Sequence, residues 1–275
     1  ASSDTYITNK IVSATRVTDT NVGRAGVLDL FKLYGETGLP GDEKLSGSAG
    51  DFNLDTDSDD KPDTSIELSR ILLKFDLSKL HELTGSKLDL SSSNFSAKLK
   101  LFDVKTGHAV PSNFTVMAIP LSQSFDEGIG KNISSYNDID VANFLTASYS
   151  DGSNNIWNGA GASVSGALGA TNTDLVETAN FSDGSGTRKL VFSQKFVEGT
   201  EDLSLDITPF VSATIAGQID NHGFRISLTG SEESDNKTRF IKRFASRHVR
   251  NTRIRPRVEV SFDDTRIDHH ENFFF

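Results

Sequence analysis

The clearest alternation of apolar and polar positions lies late in the chain. At residues 254–262, Ile254, Pro256, Val258, Val260 and Phe262 fall on one face, and Arg253, Arg255, Arg257, Glu259 and Ser261 fall on the other. A period of two with one apolar face predicts a half-buried strand. Pro256 has no amide hydrogen for a ladder, so it places the strand start at an edge or a bulge. Just upstream, Phe240 and Phe244 share a face while Ile241 and Ala245 lie opposite. That pattern predicts either a bulge or a strand buried on both sides.

Similar stretches recur through the chain. Residues 5–12 predict a first strand. At residues 27–33, Val27, Asp29, Phe31 and Leu33 alternate with Leu28, Leu30 and Lys32, so both faces are partly apolar and the strand is expected to be central. Residues 69–77 point Ile71, Leu73, Phe75 and Leu77 inward. Further strands are predicted at 97–101, 114–121, 190–192, 203–207 and 224–228, with turns at Asn21-Val22-Gly23 and Asn221-His222-Gly223. Short helices are predicted at 78–83, entered through Asp76 or Ser78, at 141–148, and from Thr208-Pro209 to a stop at Gly217. The fold expected is all-β: an antiparallel β-sandwich of jelly-roll type with two or three short helices and long loops. It is expected to form one domain over 1–264, with long loops at 34–66 and 150–172 and a C-terminal docking tail at 265–275.

Composition narrows the function. A chain of 275 residues can bury one substantial core. With no cysteine there is no disulfide framework, thiolate zinc site or cysteine nucleophile. No run of about 18 apolar residues is present to span a membrane as a helix, and residues 1–10 lack a signal-peptide pattern. The net charge of −10 argues against general nucleic-acid binding. His81, His108, His222, His248, His269 and His270 form no HxH or HExxH spacing, and no GxSxG elbow or phosphate loop occurs. The chain therefore reads as non-enzymatic, with no catalytic residue nominated.

Three features carry candidate chemistry. Asp55, Asp57, Asp59 and Asp63 stand at positions 1, 3, 5 and 9 of an acidic loop, a spacing that can wrap Ca²⁺ in oxygen ligands. The loop resembles the calcium loops of thrombospondin type 3 repeats, with Asp60 where glycine is usual. Ile66 stands where an EF-hand needs its bidentate glutamate. Calcium is the one cofactor nominated; the plain alternative is a solvated acidic loop without a cofactor.

The second feature is a basic block. Residues 237–262 hold nine Lys or Arg and no acid before Glu259. Three readings stand: an arginine-rich face paired with the chain's own acids, contact with an acidic partner subunit through bidentate Arg–carboxylate pairs, or contact with an anionic polysaccharide. For the latter two the contact residues are Lys242, Arg243, Arg247, Arg253, Arg255 and Arg257.

The third feature is a set of aromatic contact candidates. Trp157 is the only tryptophan and lies in the Gly/Ser-rich 150–172 stretch; it is either an interface residue or a cap folded onto the core. Phe273, Phe274 and Phe275 would be an aggregation liability if exposed, so a docking tail is expected. In Asp268-His269-His270-Glu271 the adjacent histidines of an extended chain point opposite ways, which favours a polar tail over a metal site.

The order of segments resembles the DNRLRE-type domain family, which is related to alginate-binding carbohydrate modules. Asn21-Val22-Gly23 is similar to its NxG turn, and 69–76 (SRILLKFD) to its RxLLxFDLS segment. Residues 97–101 are similar to its AxLxL strand, and Phe125-Asp126-Glu127-Gly128 stands where the family has Trp-x-Glu-Gly. Leu205-Asp206-Ile207-Thr208 is similar to its DVT segment, and Asn221-His222-Gly223-Phe224 to its NxGF turn. Phe244-Ala245-Ser246-Arg247 with 255–260 (RPRVEV) resembles F-x-S-R … RPRLEV. The likeness is strongest to virion structural proteins of tailed phages. It implies a jelly roll without catalytic apparatus on the virion exterior, assembled in the host cytoplasm from copies of itself and other virion proteins. A host surface polysaccharide is the alternative partner; a membrane and nucleic acid are not expected.

Overall fold

The computed structural model describes residues 1–13, 15–35, 53–54, 64–84, 88–105, 111–134, 140–181, 186–235 and 237–263. The chain begins with β1 (Ser3–Thr8), β2 (Ile11–Val12), β3 (Thr15–Arg16), β4 (Val27–Gly35), β5 (Asn53–Leu54) and β6 (Thr64–Lys74), followed by α1 (Ser78–Thr84). Next come β7 (Ser96–Leu101), β8 (Phe114–Pro120), β9 (Thr146–Ser150), β10 (Ser153–Ile156), β11 (Ser165–Ala167), β12 (Leu175–Phe181) and β13 (Gly186–Lys189). Then β14 (Phe192–Phe196) and β15 (Leu203–Asp206) lead to α2 (Thr208–Ile215), β16 (Phe224–Leu228), α3 (Gly230–Ser234), β17 (Phe240–Ala245) and β18 (Arg257–Ser261).

The protein is an all-β, predominantly antiparallel sandwich with short helices, as the alternation predicts. The large sheet runs β14-β8-β16-β6-β4-β17, with β1 also on β6. A small three-stranded sheet runs β15-β7-β18, and another runs β11-β12-β13. Strand β6 organises the large sheet. Its first half pairs with β4 and its second half with β1 on one side and β16 on the other.

Alternation along β6 explains the layers. Ile71 and Leu73 join the core that also holds Leu99 and Leu101 of β7, Phe224 and Ile226 of β16, and Phe210 of α2. Leu68 and Leu72 face the other way, into a second core with Ile7, Ile119, Phe144 and Trp157. A strand buried on both faces must be apolar at odd and even positions alike, which the run ILL at 71–73 satisfies. Near its end, β17 also reaches the chain that leaves β7: Val104 N donates to Arg243 O and Ala245 N to Phe102 O. The basic strand thus lies where the two sheets meet.

Several expectations change. No helix forms over 141–148; residues 146–150 are β9. The Asn143 side-chain oxygen accepts from the amides of Leu145 and Thr146, which diverts the backbone from a helix. The 150–172 stretch is not a plain connection. It contains β10, which pairs back on β9, and β11, and its 158–164 segment wraps the Asp174 carboxylate, which accepts from the amides of Asn158, Gly159 and Val164. The strand expected at 254–262 begins at Arg257, because residues 252–254 form a 3₁₀ turn. Between the two readings of 240–245, the pairing with β4 is regular and contains no bulge; Ile241 packs on the core from the outer face.

Candidate functional site

Three of the nominated cations of the basic block are engaged within the chain, Lys242 buried and Arg243 and Arg247 half-buried, whereas the other six Lys and Arg of 237–262 are exposed. Lys242 is only 1 % exposed. Its ammonium donates to Asp103 Oδ1 at 2.6 Å, Gly199 O at 2.9 Å and Glu201 O at 3.0 Å, and lies 5.1 Å from the ring centres of Phe196 and Phe244. Arg243 stands directly across the strand pair from Asp29 and makes a fork to it, Nε to Oδ1 at 2.5 Å and Nη2 to Oδ2 at 2.8 Å. Arg247 makes a second fork, to Glu127. These three expected contact residues are therefore corrected. Desolvating a cation requires a partner close by, and here the chain supplies it.

Arg253, Arg255 and Arg257 remain exposed. Arg255 donates to Val249 O, and Arg257 donates to Glu259 Oε1 at 2.9 Å while lying 4.5 Å from the Phe102 ring centre. Pairing of β18 with β7 sets Arg257 opposite Lys100 and Glu259 opposite Lys98.

The fork at Arg247 belongs to a larger knot built from segments far apart in the chain. The Asn21 side chain donates to Glu127 O and Ala142 O and accepts from the amides of Gly23 and Gly130. Gly23 lies so close to this loop that a Cβ there would stand 1.9 Å from Glu127 O. Ser246 Oγ donates to Ala25 O at 2.6 Å. Asp4 of β1 is 1 % exposed; its amide donates to Glu127 Oε1, its Oδ2 accepts from the Arg247 amide at 2.6 Å, and its Oδ1 has no hydrogen-bond partner among the described residues.

His248 Nε2 stands 3.4 Å from Glu127 Oε1. Asp4, Glu127 and His248 each offer one ligand atom within 4.8 Å of the others. Burial pushes the Asp4 carboxyl up to about 7, with the Glu127 charge adding to it. For Glu127 burial works upward too, but the hydrogen bonds from Arg247 and the Asp4 amide outweigh it and hold the carboxyl below its ordinary range.

A second polar knot lies on the other side of β6. Arg70 makes a fork to Glu233, and its Nη1 donates to Gly161 O at 2.7 Å. Arg225 donates to Ala162 O at 2.8 Å, while its Nε lacks a partner among the described residues. Burial, followed by the Arg70 charge, pulls the Arg225 guanidinium down to about 9. Gly161 adopts φ +71°, and a Cβ there would press on Phe144 and Arg70. The loop carbonyls thus serve as acceptors for buried cations.

Two open clefts of about 250 Å³ flank the 219–223 turn. Asp76, Ser78, His81 and Thr214 line one; Ser122, Thr173, Asp220 and His222 line the other. Burial lowers His222, which favours its neutral form.

Trp157 is a core residue, 4 % exposed, and its indole N–H donates to Asn143 O at 3.0 Å. It has no ring face to offer a partner, so the interface assignment gives way to the capping one. Asp55, Asp57, Asp59 and Asp63, the 268–271 segment, and Phe273, Phe274 and Phe275 lie outside the described residues.

The structure brings together Asn21, Glu127, Ser246 and Arg247, all within motifs picked out in the sequence. It adds Asp4, His248, Arg70 and Arg225, whose roles the sequence reading did not assign. Arg70 carried a signal, since a charge inside the apolar run of 69–77 asks for a buried partner. Asp4 carried none. No family model matches the chain, and no curated protein matches it.

Proposed function

We propose that the protein is a non-enzymatic building block on the outside of a tailed-phage particle, assembling with copies of itself and with neighbouring virion proteins. The observation that supports this most is the Asn21–Glu127–Arg247 knot. The motif residues on which the resemblance rests are engaged with one another as structural ties. Residues spent on internal bonds serve architecture; they hold β1, the 122–130 loop and the 246–248 turn as one rigid platform. On that platform the β9–β10 hairpin presents Tyr149 and Ile156, with Leu145 just before it, as exposed apolar side chains suited to protein contact.

The test is the mass of the purified protein by light scattering, with calcium and then with chelator. A defined oligomer is expected. A monomer at every concentration that binds alginate with salt-sensitive affinity overturns the reading.

That outcome belongs to a second reading, a carbohydrate-binding module for an anionic polysaccharide. Its supporting observation is the outer edge of the small sheet, where Arg253, Arg255 and Arg257 stay exposed and Arg257 stands opposite Lys100. Lys242, Arg243 and Arg247, already paired with Asp103, Asp29 and Glu127, take no part in it.

A further inference from the structure

We propose that the outer edge of β18 binds a second copy of this chain, the two β18 strands pairing antiparallel about a twofold axis at Val260. The inference rests on the self-assembly proposed above and gives it one interface. Its first ground is the direction of the backbone groups. In β7 the Ala97 amide donates to Thr208 Oγ1 and the Ala97 carbonyl accepts from the Ile207 amide, so both groups turn towards β15. Successive residues of a strand turn these groups to opposite sides. Lys98 and Lys100 therefore face β18, where they stand opposite Glu259 and Arg257. It follows that Pro256, Val258 and Val260 turn their backbone groups away from β7. The Pro256 carbonyl agrees, since its partner is the Ala1 ammonium, at 2.8 Å.

The second ground is where this edge is left open. Edge strands are ordinarily blunted by proline, by charge or by a covering segment. Here the blunting by backbone stops early. Pro256 has no amide to offer, and Ala1 takes its carbonyl. From there on, among the described residues, no hydrogen bond reaches the outward amides and carbonyls of Val258 and Val260. Val258, Val260 and Phe262 pack on the main core yet stay only half-buried. The edge thus offers both backbone groups and apolar side chains to an added strand.

A second copy fits because the edge is complementary to itself. A twofold axis at Val260 sets Val260 opposite Val260 of the partner subunit, and Val258 opposite Phe262 of the partner subunit. These outward-facing positions exchange about six hydrogen bonds across the axis. On the solvent face Arg257 comes opposite Asp263 of the partner subunit, and Glu259 opposite Ser261 of the partner subunit, so no like charges meet within 257–263. Neighbouring registers are worse. An axis at Glu259 sets that carboxylate against its own copy. An axis at Val258 sets Val260 against Pro256, which has no amide and whose carbonyl Ala1 holds. A twofold contact uses the edge of both copies, so growth through it stops at a pair. The two β15-β7-β18 sheets become one, with Val258, Val260 and Phe262 continuous across the joint.

The chain has no cysteine, so an introduced thiol reports alone. Val260→Cys places two thiols at the axis, in a hydrogen-bonded pair whose Cα atoms stand about 5.5 Å apart, within disulfide reach. Under mild oxidation the full-length variant should cross-link to a dimer at least about 10-fold faster than Ser204→Cys, an exposed position on β15, because paired thiols have a high effective concentration. Val258→Pro removes one outward amide and leaves the β7 ladder intact. By symmetry two bonds are lost per dimer, and self-association in sedimentation should weaken by about 10-fold or more. Cross-linking of Val260→Cys no faster than that of Ser204→Cys overturns the proposal, as does unchanged association of a folded Val258→Pro. Should Val258→Pro unfold, the cross-linking rate decides. A defined oligomer without the Val260 cross-link sinks this interface and leaves the building-block reading standing. A wild-type monomer at every concentration, again without the cross-link, sinks both.

Discussion

Lys242 Nζ stands 2.6 Å from Asp103 Oδ1, although the two residues are 139 positions apart and the lysine side chain is 1 % exposed. Its other two donors go to Gly199 O and Glu201 O. A lysine ammonium has three donors, and all three are used. Removing one partner of a buried pair leaves the other charge uncompensated and costs about 3–5 kcal/mol. Lys242→Met should therefore lower the urea midpoint strongly. Arg253→Ala, at an exposed position of the same basic block, should change stability by no more than about 0.5 kcal/mol. Equal effects from the two would contradict the inward placement of Lys242.

Gly23 and Gly26 give a paired test of the knot. A Cβ at Gly23 meets backbone atoms of the 127–128 segment, the closest being Glu127 O at 1.9 Å, whereas a Cβ at Gly26 meets nothing within 4 Å. Gly23→Ala should destabilise by about 1–3 kcal/mol or more through forced displacement of the loop. Gly26→Ala should be near neutral. Denaturant unfolding of both variants reads the difference.

Two aspartates should pull stability in opposite directions with pH. At Asp235 partial burial acts upward, but bonds from Lys32, Thr238 and Lys237 outweigh it and hold the carboxyl well below its ordinary range. Its contribution is present above the unfolded-state value near 4 and is lost as pH falls towards the lower folded value. The gap between wild type and Asp235→Asn should thus be widest at neutral pH and shrink on acidification.

Asp4, raised to about 7 chiefly by burial, contributes most below pH 4 and loses that contribution as pH rises towards 7. Asp4→Asn should flatten the decline of stability across that window. Unfolding free energies measured from pH 3.5 to 8 test both signs.

Trp157 reports on its own burial. With its ring in the second core and its N–H on Asn143 O, emission should be blue-shifted and poorly quenched by acrylamide in the native protein. Both properties should be lost on unfolding. Emission that shifts on dilution of an oligomer, with the fold unchanged, would return Trp157 to an interface.

The strands were legible in the sequence where one face is apolar and the other polar. Arg257, Val258, Glu259, Val260 and Ser261 alternate as the pattern requires, and the short helices at 78 and 208 start where Asp76 and Thr208-Pro209 place them. Local chemistry also had limits. The 141–148 segment has helix-compatible spacing, yet the Asn143 side chain and pairing with β10 made it a turn and a strand.

What the sequence determined by itself was the class of fold, because alternation depends only on neighbours along a strand. What only the tertiary structure decided was the fate of the charges. Lys242 and Arg253 look equivalent in a basic run, yet one is enclosed between two sheets and the other lies on an outer edge. Asp4, Glu127 and His248 are separated by more than a hundred residues at each step, so no local pattern could join them. Their meeting is set by β1 pairing with β6 and by the loop that Asn21 holds. Burial and distance fix what an ionisable side chain can do, and both are properties of the packed chain rather than of its order.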